Sequence, residues 1–341
     1  MRRIFPAAAF VAFATVAAGQ TPRIGDIDLY GLRKVALEKI LEVAGLGSGA
    51  SLPASKSDIE EQIETVPGVV LARVEAVCCE GSNVVLFVGI EERGAQHPNF
   101  RSAPAGDATL PKELVETYRD YLAVVDKAGA RGHTGEDLTA GHSVLDDPEA
   151  RPFEDRFRTF ATERFDWLRN ELRNGPEAEE RAIATAVIGY APDKQQVAGE
   201  LQYALQDTDD AVRANAIHGL TAIAVYSSKH PEKDIRVAPT WLVELLDSIV
   251  LRDRLEATRA LVILTDSPNP AALDLMRERR LTALAEMARW KTLRYALPPF
   301  LLLGRLAGLP DTETHQYWEK GDRETVIGKA LAGAGTGKRG R

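Results

Sequence analysis

An internal repeat in the C-terminal half constrains the fold of this chain more than any other feature. The segments ERAIATAVIGYA and VRANAIHGLTAIA are two versions of one amphipathic helix, and their arginines, Arg181 and Arg213, are 32 positions apart. EATRALVILT, near Arg259, is a looser third version. Another amphipathic helix follows each version, so the repeating unit is a helix pair. Because a single pair cannot bury its apolar stripe, the sequence predicts a stack of pairs, an all-α solenoid over residues 151–332.

One segment of the predicted stack carries a known type of motif. DTDDAVRANAIHGL, which begins at Asp207, resembles the signature of HEAT repeats. In this motif Asp209 or Asp210 caps the N-terminus of a helix. Arg213 can bridge to Asp207 or to an acid of the adjoining repeat. These roles are structural, so the resemblance implies a HEAT-repeat solenoid and carries over no active-site residue.

Three longer segments are similar to a group of exported bacterial HEAT-repeat proteins. They are GHSVLDDPEARPFEDRF, RAIATAVIGYAPDKQQV and MARWKTLRYALPPFLLLGRLAG. The resemblance covers most of residues 141–332. It implies the helical fold and export from the cytoplasm.

The first residues have the pattern of a secretory signal peptide. Arg2 and Arg3 form a positive start, residues 4–18 form a short apolar run, and small residues precede Gln20. We therefore predict a signal peptide over residues 1–19 and an exported, periplasmic protein. The apolar run is short for a membrane span, which needs about 20 residues. An uncleaved N-terminal anchor stays open as the alternative.

Residues 23–92 have the pattern of a small α+β domain with the element order βααββ. Alternating apolar residues predict a first strand that ends at Gly31, and two short amphipathic helices follow. Pro67-Gly68 then turns the chain into the two strands of TVPGVVLARVEA and NVVLFVGIEE. The residues of the last strand that are predicted to face the core are Val84, Leu86, Val88 and Ile90.

This order of elements, with its strand–Gly–helix opening and its final hairpin, resembles a POTRA domain. The resemblance implies a periplasmic docking module that sits beside outer-membrane barrels, secretion ushers or division proteins. Such modules bind partners partly by adding a strand at a sheet edge. The edge strand here would be residues 69–79, with Val70, Ala72 and Val74 as partner-binding residues. A generic α+β domain with another role is the alternative.

The segment between the two predicted domains divides into a linker and a helix–loop region. Residues 93–110 are rich in Gly, Pro, Ala and Ser and predict an interdomain linker. Residues 111–150 predict a helix and then a loop rich in Gly, His and Asp. Six side chains of this loop are of types that bind divalent metals, but their spacing matches no established site. We predict a solvated loop with no metal and no other cofactor. The six are His133, Glu136, Asp137, His142, Asp146 and Asp147.

Seven basic residues lie between positions 277 and 305 of a chain whose net charge is −8. They predict a cationic ridge that could receive an acidic protein, anionic lipid or polysaccharide. The alternative is a solvated helix face neutralised by Glu278 and Glu286. The acidic net charge argues against nucleic acid as the main partner. The basic tail, residues 333–341, is predicted to be disordered. The residues predicted to contact a partner are Arg277, Arg280, Arg289 and Arg294.

The sequence holds no recognisable catalytic motif. It has no Gly-x-Ser-x-Gly, no His-Glu-x-x-His, no phosphate-binding glycine loop and no Cys/His pair of known spacing. We therefore predict a non-catalytic periplasmic adaptor that binds protein partners of the cell envelope, such as an outer-membrane or secretion component, and touches the membrane only peripherally. One alternative is a metal-dependent or lyase-like enzyme on a HEAT scaffold. The other is a membrane-anchored structural component of an envelope or division complex.

Overall fold

A computed structural model of the chain describes residues 22–80 and 83–336. These residues form two compact units, each of which is discontinuous in sequence. The first unit comprises residues 99–242 and 263–269, and the second comprises the described residues of 22–98, 243–262 and 270–336.

The N-terminal region predicted to be a signal peptide, residues 1–19, lies outside the described residues. Among the helices of the described ranges, none is both long enough and apolar enough to cross a membrane.

The second unit begins with a three-stranded sheet and two helices, and the predicted order βααββ is confirmed. The central strand is the last one in sequence, because the strand order is β1-β3-β2. It pairs in parallel with β1 and antiparallel with β2. The elements are β1 (Ile24–Tyr30), α1 (Leu37–Val43), α2 (Lys56–Glu64), β2 (Val69–Glu80) and β3 (Asn83–Glu92).

The remaining elements of the second unit are helical. Residues 270–290 form two helices, which are separated at Arg280, whose φ of −132° and ψ of 16° are not helical. The helix at residues 240–244 begins before residue 243, and the helix at residues 251–264 ends after residue 262. Helices are numbered in chain order, and the six helices between residues 112 and 229 are described below with the first unit. The helices are α9 (Thr240–Glu244), α10 (Leu251–Leu264), α11 (Pro270–Arg279), α12 (Leu281–Ala288), α13 (Leu293–Leu306), α14 (Asp311–Glu319) and α15 (Arg323–Thr336), with a 3-10 turn at Leu245–Asp247.

Both faces of the sheet are buried. On one face α1 and α2 cover a core that includes Ala72, Val74 and Leu86. On the other face the helices of the same unit pack against Phe87, whose ring lies edge-on to that of Trp290 with centroids 5.2 Å apart. Seven consecutive residues of β3 are therefore buried, as in sheets that carry helices on two sides.

The compact units differ from the predicted domain boundaries. The sequence analysis placed residues 23–92 in a domain of their own, apart from the helices of residues 151–332. In the structure the sheet and the helices that follow residue 243 share one apolar core, which includes Tyr30, Phe87 and Tyr295. The second face of the sheet is apolar, so it would be exposed to water without these helices.

The C-terminal helix extends into the predicted tail. α15 continues to Thr336, whereas disorder was predicted from residue 333. Alanine has the highest helix propensity of all residues, and the sequence ALAGAG at positions 330–335 contains three alanines that favour continuation of the helix. Residues 337–341 lie outside the described residues.

The first unit contains six of the helices and a two-stranded ribbon. The apolar stripe from Phe153 to Leu168 lies on two helices, because Arg164, with φ −128° and ψ 30°, interrupts the helical backbone. The elements are α3 (Lys112–Ala130), β4 (Glu136–Asp137), β5 (Val144–Leu145), α4 (Arg151–Glu163), α5 (Phe165–Asn174), α6 (Ala178–Ile188), α7 (Lys194–Ala204) and α8 (Asp210–Lys229), followed by a 3-10 turn at Pro231–Lys233.

The arginines of the sequence repeat have one structural role. Arg181 and Arg213 are both 1% exposed. The Nη1 atom of Arg181 donates to the carbonyls of Gly175 and Pro176, at 3.1 and 3.0 Å. Arg213 makes the same two bonds to Asp207 and Thr208, both at 2.9 Å. Each arginine therefore holds the turn that precedes its own helix.

The acid at the start of the HEAT-like motif is bound by the arginine of the preceding repeat. Nε and Nη2 of Arg181 each donate to the Asp207 carboxylate at 2.9 Å. Two residues later, Asp209 caps α8 by accepting from the backbone N–H groups of Ala211 and Val212. This cap is one of the two that the sequence allowed.

The third copy of the repeat is centred on Arg254 rather than near Arg259. Arg254 is 2% exposed and donates to the Ser248 carbonyl, six residues earlier, as Arg181 does to Gly175. The hydroxyl of Thr258 bonds the Arg254 carbonyl at 2.6 Å, and Thr185 bonds that of Arg181 at 2.7 Å. The loose sequence match had aligned these helices five residues out of register.

Candidate functional site

The basic region contains arginines that are bound to carboxylates of their own unit. Arg277 pairs with Asp274 at 2.7 Å. Arg280 is 5% exposed and bonds Glu244, and its Nε atom lies 3.3 Å from a carboxylate oxygen of Asp247. Arg277 therefore pairs within α11, whereas Arg280 connects the break between α11 and α12 to α9 and to the turn that follows it.

The other two arginines of the predicted ridge, Arg289 and Arg294, also have partners within the second unit. Arg289 makes a two-point contact with the Glu324 carboxylate, with both distances 2.8 Å. Arg294 lies over the ring of Tyr295, 4.7 Å from its centroid, and donates to the Cys78 carbonyl at 3.3 Å. A partner that bound these four arginines would compete with bonds that hold the unit together.

The predicted edge strand, β2, does lie at an edge of the sheet. The side chains of Ala72 and Val74 are buried under the helices, and their backbone N–H groups donate to the carboxylates of Glu64 and Glu60, at 3.0 and 2.8 Å. Val70 is 50% exposed because a register irregularity between residues 69 and 71 leaves it outside the ladder. An added strand would therefore have to displace two carboxylates from this edge, which is a common way of protecting edge strands.

The Gly-, His- and Asp-rich loop packs on the helices of the first unit. His133 lies 3.6 Å from the carboxylate of Asp147, which also accepts a hydrogen bond from Arg131 at 2.6 Å. Glu136 lies 3.3 Å from His218 of α8. Asp137 accepts from the backbone N–H of Thr139. In the part of the chain that the structure describes, no three of the His, Cys, Asp and Glu side chains are grouped so that they could hold a metal ion.

The last histidine of this loop contacts a buried lysine. Nζ of Lys194 donates to the Gly189 carbonyl at the end of α6, at 2.8 Å, and lies 3.4 Å from Nδ1 of His142. Burial, and secondly the Lys194 charge, lowers the pKa of His142 to about 4. Burial lowers the pKa of Lys194 to about 8. At neutral pH the imidazole is uncharged and most of the lysine carries a proton, which favours its place at a helix C-terminus.

A contact that the sequence analysis missed lies in the predicted linker. Residues 99–110, which we call the strap, have no regular secondary structure but lie against α5, α6 and the turn between α7 and α8. At the first end of the strap, the backbone N–H of Arg101 donates to the Gln206 carbonyl at 2.9 Å. The Arg101 guanidinium stacks on the Tyr203 ring, 3.5 Å from its centroid. Phe100 packs its ring against the guanidinium of the repeat residue Arg213, at 4.0 Å.

The second end of the strap is anchored on α5 and α6. Nε1 of Trp167 donates to the Thr109 carbonyl at 2.8 Å, and the backbone N–H of Leu110 donates to the Glu180 carboxylate at 2.6 Å. Between the two ends, the strap passes so close to α5 that a Cβ atom on Gly106 would lie 2.3 Å from the Asn174 carbonyl oxygen. The strap is thus held as an extended peptide across consecutive helices.

One family is recognised in the sequence by comparison with known proteins. The profile of a family described as HEAT repeats matches residues 165–262. This part of the chain carries HEAT repeats. It includes α5 to α9 and the residues that hold the strap: Trp167, Glu180, Tyr203, Gln206 and Arg213. HEAT repeats stack into extended surfaces that serve protein–protein interaction. No curated protein and no solved structure matches the chain.

Proposed function

We propose that this protein is an exported, non-catalytic adaptor of the cell envelope that binds protein partners through its HEAT repeats. The observation that carries the proposal is the strap. Its Arg101 backbone N–H bonds a carbonyl of the repeats, and its Phe100 and Arg101 side chains pack on Arg213 and Tyr203. A repeat surface that holds extended polypeptide of its own chain has the chemistry needed to hold that of another protein.

The export and envelope parts of the proposal rest on the sequence. The basic start and short apolar run of residues 1–19 support export. The βααββ order of residues 24–92 supports a POTRA-like docking module. Because the outer edge of β2 is bonded to Glu60 and Glu64, we place the principal partner contact on the repeats and not on this edge.

The experiment uses the full-length protein, because the sheet shares its core with helices far along the chain. We expect the protein in the periplasmic fraction, with Gln20 as its first residue. Crosslinking in intact cells from a photoreactive residue placed at the exposed position 102 is expected to give discrete products with envelope proteins. The same residue placed at the exposed position 316, on α14, is the matched control and is expected to give different products or none. Recovery of the protein in the cytoplasmic fraction would refute the proposal. Identical crosslinked products from both positions would refute it as well.

Retention of the N-terminal segment would favour the membrane-anchored structural component over the periplasmic adaptor. N-terminal sequencing of the exported protein distinguishes the two, because a cleaved chain begins at Gln20, whereas an anchored chain keeps residues 1–19.

A lyase-like enzyme is the second candidate, and one observation favours it. An amine with a pKa of about 8, such as that of Lys194, has a larger uncharged fraction at pH 7 to 8 than an ordinary lysine. Such an amine can form a Schiff base with a carbonyl substrate. Treatment with an aldehyde and borohydride, followed by peptide mapping, tests this candidate against the variant Lys194→Arg. Selective labelling of Lys194 would support it, and labelling spread over the exposed lysines would exclude it.

A further inference from the structure

We propose that the surface under Phe100 and Arg101 is a peptide-binding site that the chain fills with its own strap. The external ligand of the site is an extended protein segment with an aromatic residue followed by arginine. The inference rests on the proposed function, since it names the surface and the kind of partner that an adaptor of this type would use.

Two groups of Tyr203, its ring and its backbone carbonyl, recognise the arginine of this pair. The Tyr203 ring receives the planar guanidinium of Arg101 on one face, and Arg173 lies 4.2 Å from the centroid of the same ring. The Tyr203 carbonyl accepts from Nη2 of Arg101 at 2.7 Å, which orients the guanidinium. Lysine is a poorer fit, because a point charge cannot both stack on the ring and donate in its plane.

The aromatic residue of the segment is contacted by Arg213, a buried arginine of the repeat. Arg213 is held in place by the carbonyls of Asp207 and Thr208, so its guanidinium plane is rigid. Phe100 packs on that plane, and the cation–π attraction between the guanidinium and the ring favours an aromatic residue at this position. The Gln206 carbonyl accepts the backbone N–H of the next residue, Arg101, which fixes the position of the segment beside Arg213.

The part of the strap around Phe100 and Arg101 has the features of a bound segment rather than of core structure, whereas Ala108 and Leu110 near its other end are buried. Its middle, Ser102 and Ala103, is exposed, and so is Asp107. Phe100 and Arg101 are themselves only half-buried. Their contacts are one backbone bond, one side-chain bond and two stacking interactions, which another segment of the same composition can replace. Covalent attachment gives the strap an effective concentration on the order of 1 mM, so a free peptide competes only when the strap is weakened.

The test compares the full-length protein with the variant Phe100→Ala/Arg101→Ala. The probe is a fluorescent synthetic peptide that reproduces residues 97–111, and binding is followed by fluorescence anisotropy. We expect the variant to bind the probe at least about 10-fold more tightly than the unchanged protein does, because its own strap no longer fills the site. The variant Ser102→Ala/Asp107→Ala alters exposed strap residues and is the matched control. It is expected to bind the probe as weakly as the unchanged protein.

A second pair of measurements does not depend on the double variant folding. The milder variant Arg101→Gln keeps a side-chain donor for the Tyr203 carbonyl and removes the stacked charge, and we expect it to give the same direction of change. A probe in which alanine replaces the Phe and Arg of the pair is expected not to bind the opened site. Equal probe affinity in the unchanged protein and in a folded strap variant, judged by circular dichroism, would overturn the inference. So would undiminished binding of the alanine probe.

The outcomes also separate this inference from the proposed function. Probe binding without any envelope protein crosslinked to the repeats would uphold the peptide site and refute the adaptor. Crosslinking of envelope proteins from position 102, in a protein that does not bind the probe peptide, would uphold the proposed adaptor function and refute the peptide-binding site.

Discussion

Asp28 on the first strand holds Thr292 at the start of helix α13. One oxygen of the Asp28 carboxylate accepts both the backbone N–H and the hydroxyl of Thr292, at 3.2 and 3.0 Å. The other oxygen accepts the backbone N–H of Lys291 at 2.8 Å. Asp28 is 4% exposed and Thr292 is fully buried. The carboxylate therefore satisfies backbone donors at a helix N-terminus, where negative charge is favoured.

Replacing Asp28 by alanine is expected to lower the free energy of unfolding by about 2–4 kcal/mol. The substitution leaves the buried N–H and hydroxyl groups of Thr292 and the partly buried N–H group of Lys291 without their acceptor, and unsatisfied buried donors are costly. Urea unfolding followed by tryptophan fluorescence measures the change, because Trp290 lies beside this contact. Asp26→Asn is the control, since Asp26 is more exposed and only pairs with the Lys291 side chain at 3.5 Å. A loss of similar size in both variants would contradict the role of Asp28.

The sheet is not expected to fold as an independent domain. A fragment ending at residue 98 would expose Tyr30, Val85 and Phe87, which are buried in the second unit. We expect it to bind a hydrophobic dye and to unfold without a cooperative transition, because its second apolar face has no cover. The variant Val85→Thr/Phe87→Ser of the fragment is the control and should be more soluble. Cooperative unfolding of the unchanged fragment, at the midpoint of the full-length protein, would refute this expectation.

A signal for the second face of the sheet was present in the sequence. The strand NVVLFVGIEE is apolar at Val85 and Phe87 as well as at the alternate positions that were assigned to the core. A continuous apolar run of this kind indicates burial on both faces. Local pattern therefore predicted the three strands of the sheet, most of the helices, and a cap at either Asp209 or Asp210. The residues that cover the second face of the sheet are more than 160 positions away in the sequence, where local pattern gives no information.

The candidate partner surfaces were harder to predict for the same reason. The basic region looked open because only its near neighbours, Glu278 and Glu286, were considered as counter-ions. The acids that bind Arg280 and Arg289 are Glu244 and Glu324, which are 36 and 35 positions away. An ion pair between residues so far apart in the sequence produces no local or periodic pattern from which it could be predicted. The strap was likewise assigned to a linker from its composition, although an aromatic residue and an arginine stand together within it.

Glu92 is expected to support stability at neutral pH and to lose this effect in acid. Its carboxylate accepts the backbone N–H groups of Arg33, Lys34 and Val35, at 2.7 to 3.0 Å. Burial opposes ionisation, but these three bonds together outweigh it and lower the pKa of Glu92. Because the pKa in the folded state lies below the ordinary value of 4.5, the contribution is complete above about pH 4.5 and is lost as the pH falls through the lowered value.

The variant Glu92→Gln should therefore be less stable than the unchanged protein by about 1–3 kcal/mol at pH 7, and the difference should shrink in acid. Thermal unfolding between pH 3 and pH 7 measures this difference. Glu91→Gln is the neighbouring control, since the Glu91 carboxylate faces His97 at 3.5 Å and bonds none of these backbone groups. A Glu92 effect that is constant over this range would show that the charge of the carboxylate is not involved.

Glu171 is expected to have the opposite effect of pH on stability. Its side chain is fully buried, and neither carboxylate oxygen has a hydrogen-bond partner in the part of the chain that is described. Burial, and secondly the charge of Glu180, raises the pKa of Glu171 to about 7, while Arg181 opposes the rise. Because the folded state binds this proton more tightly than the unfolded state does, stability is greatest below about pH 4.5 and declines as the pH rises to about 7.

The variant Glu171→Gln removes this ionisation. It should match the unchanged protein near pH 5 and be more stable by about 1–2 kcal/mol at pH 8, after allowance for some access of water to the site. Thermal unfolding at the two pH values measures the difference. Glu179→Gln is the control because Glu179 is exposed and pairs with Arg119, which lowers the pKa of its carboxyl and leaves it ionised throughout this range. Equal destabilisation by Glu171→Gln at both pH values would mean that Glu171 is held by a partner that keeps it charged.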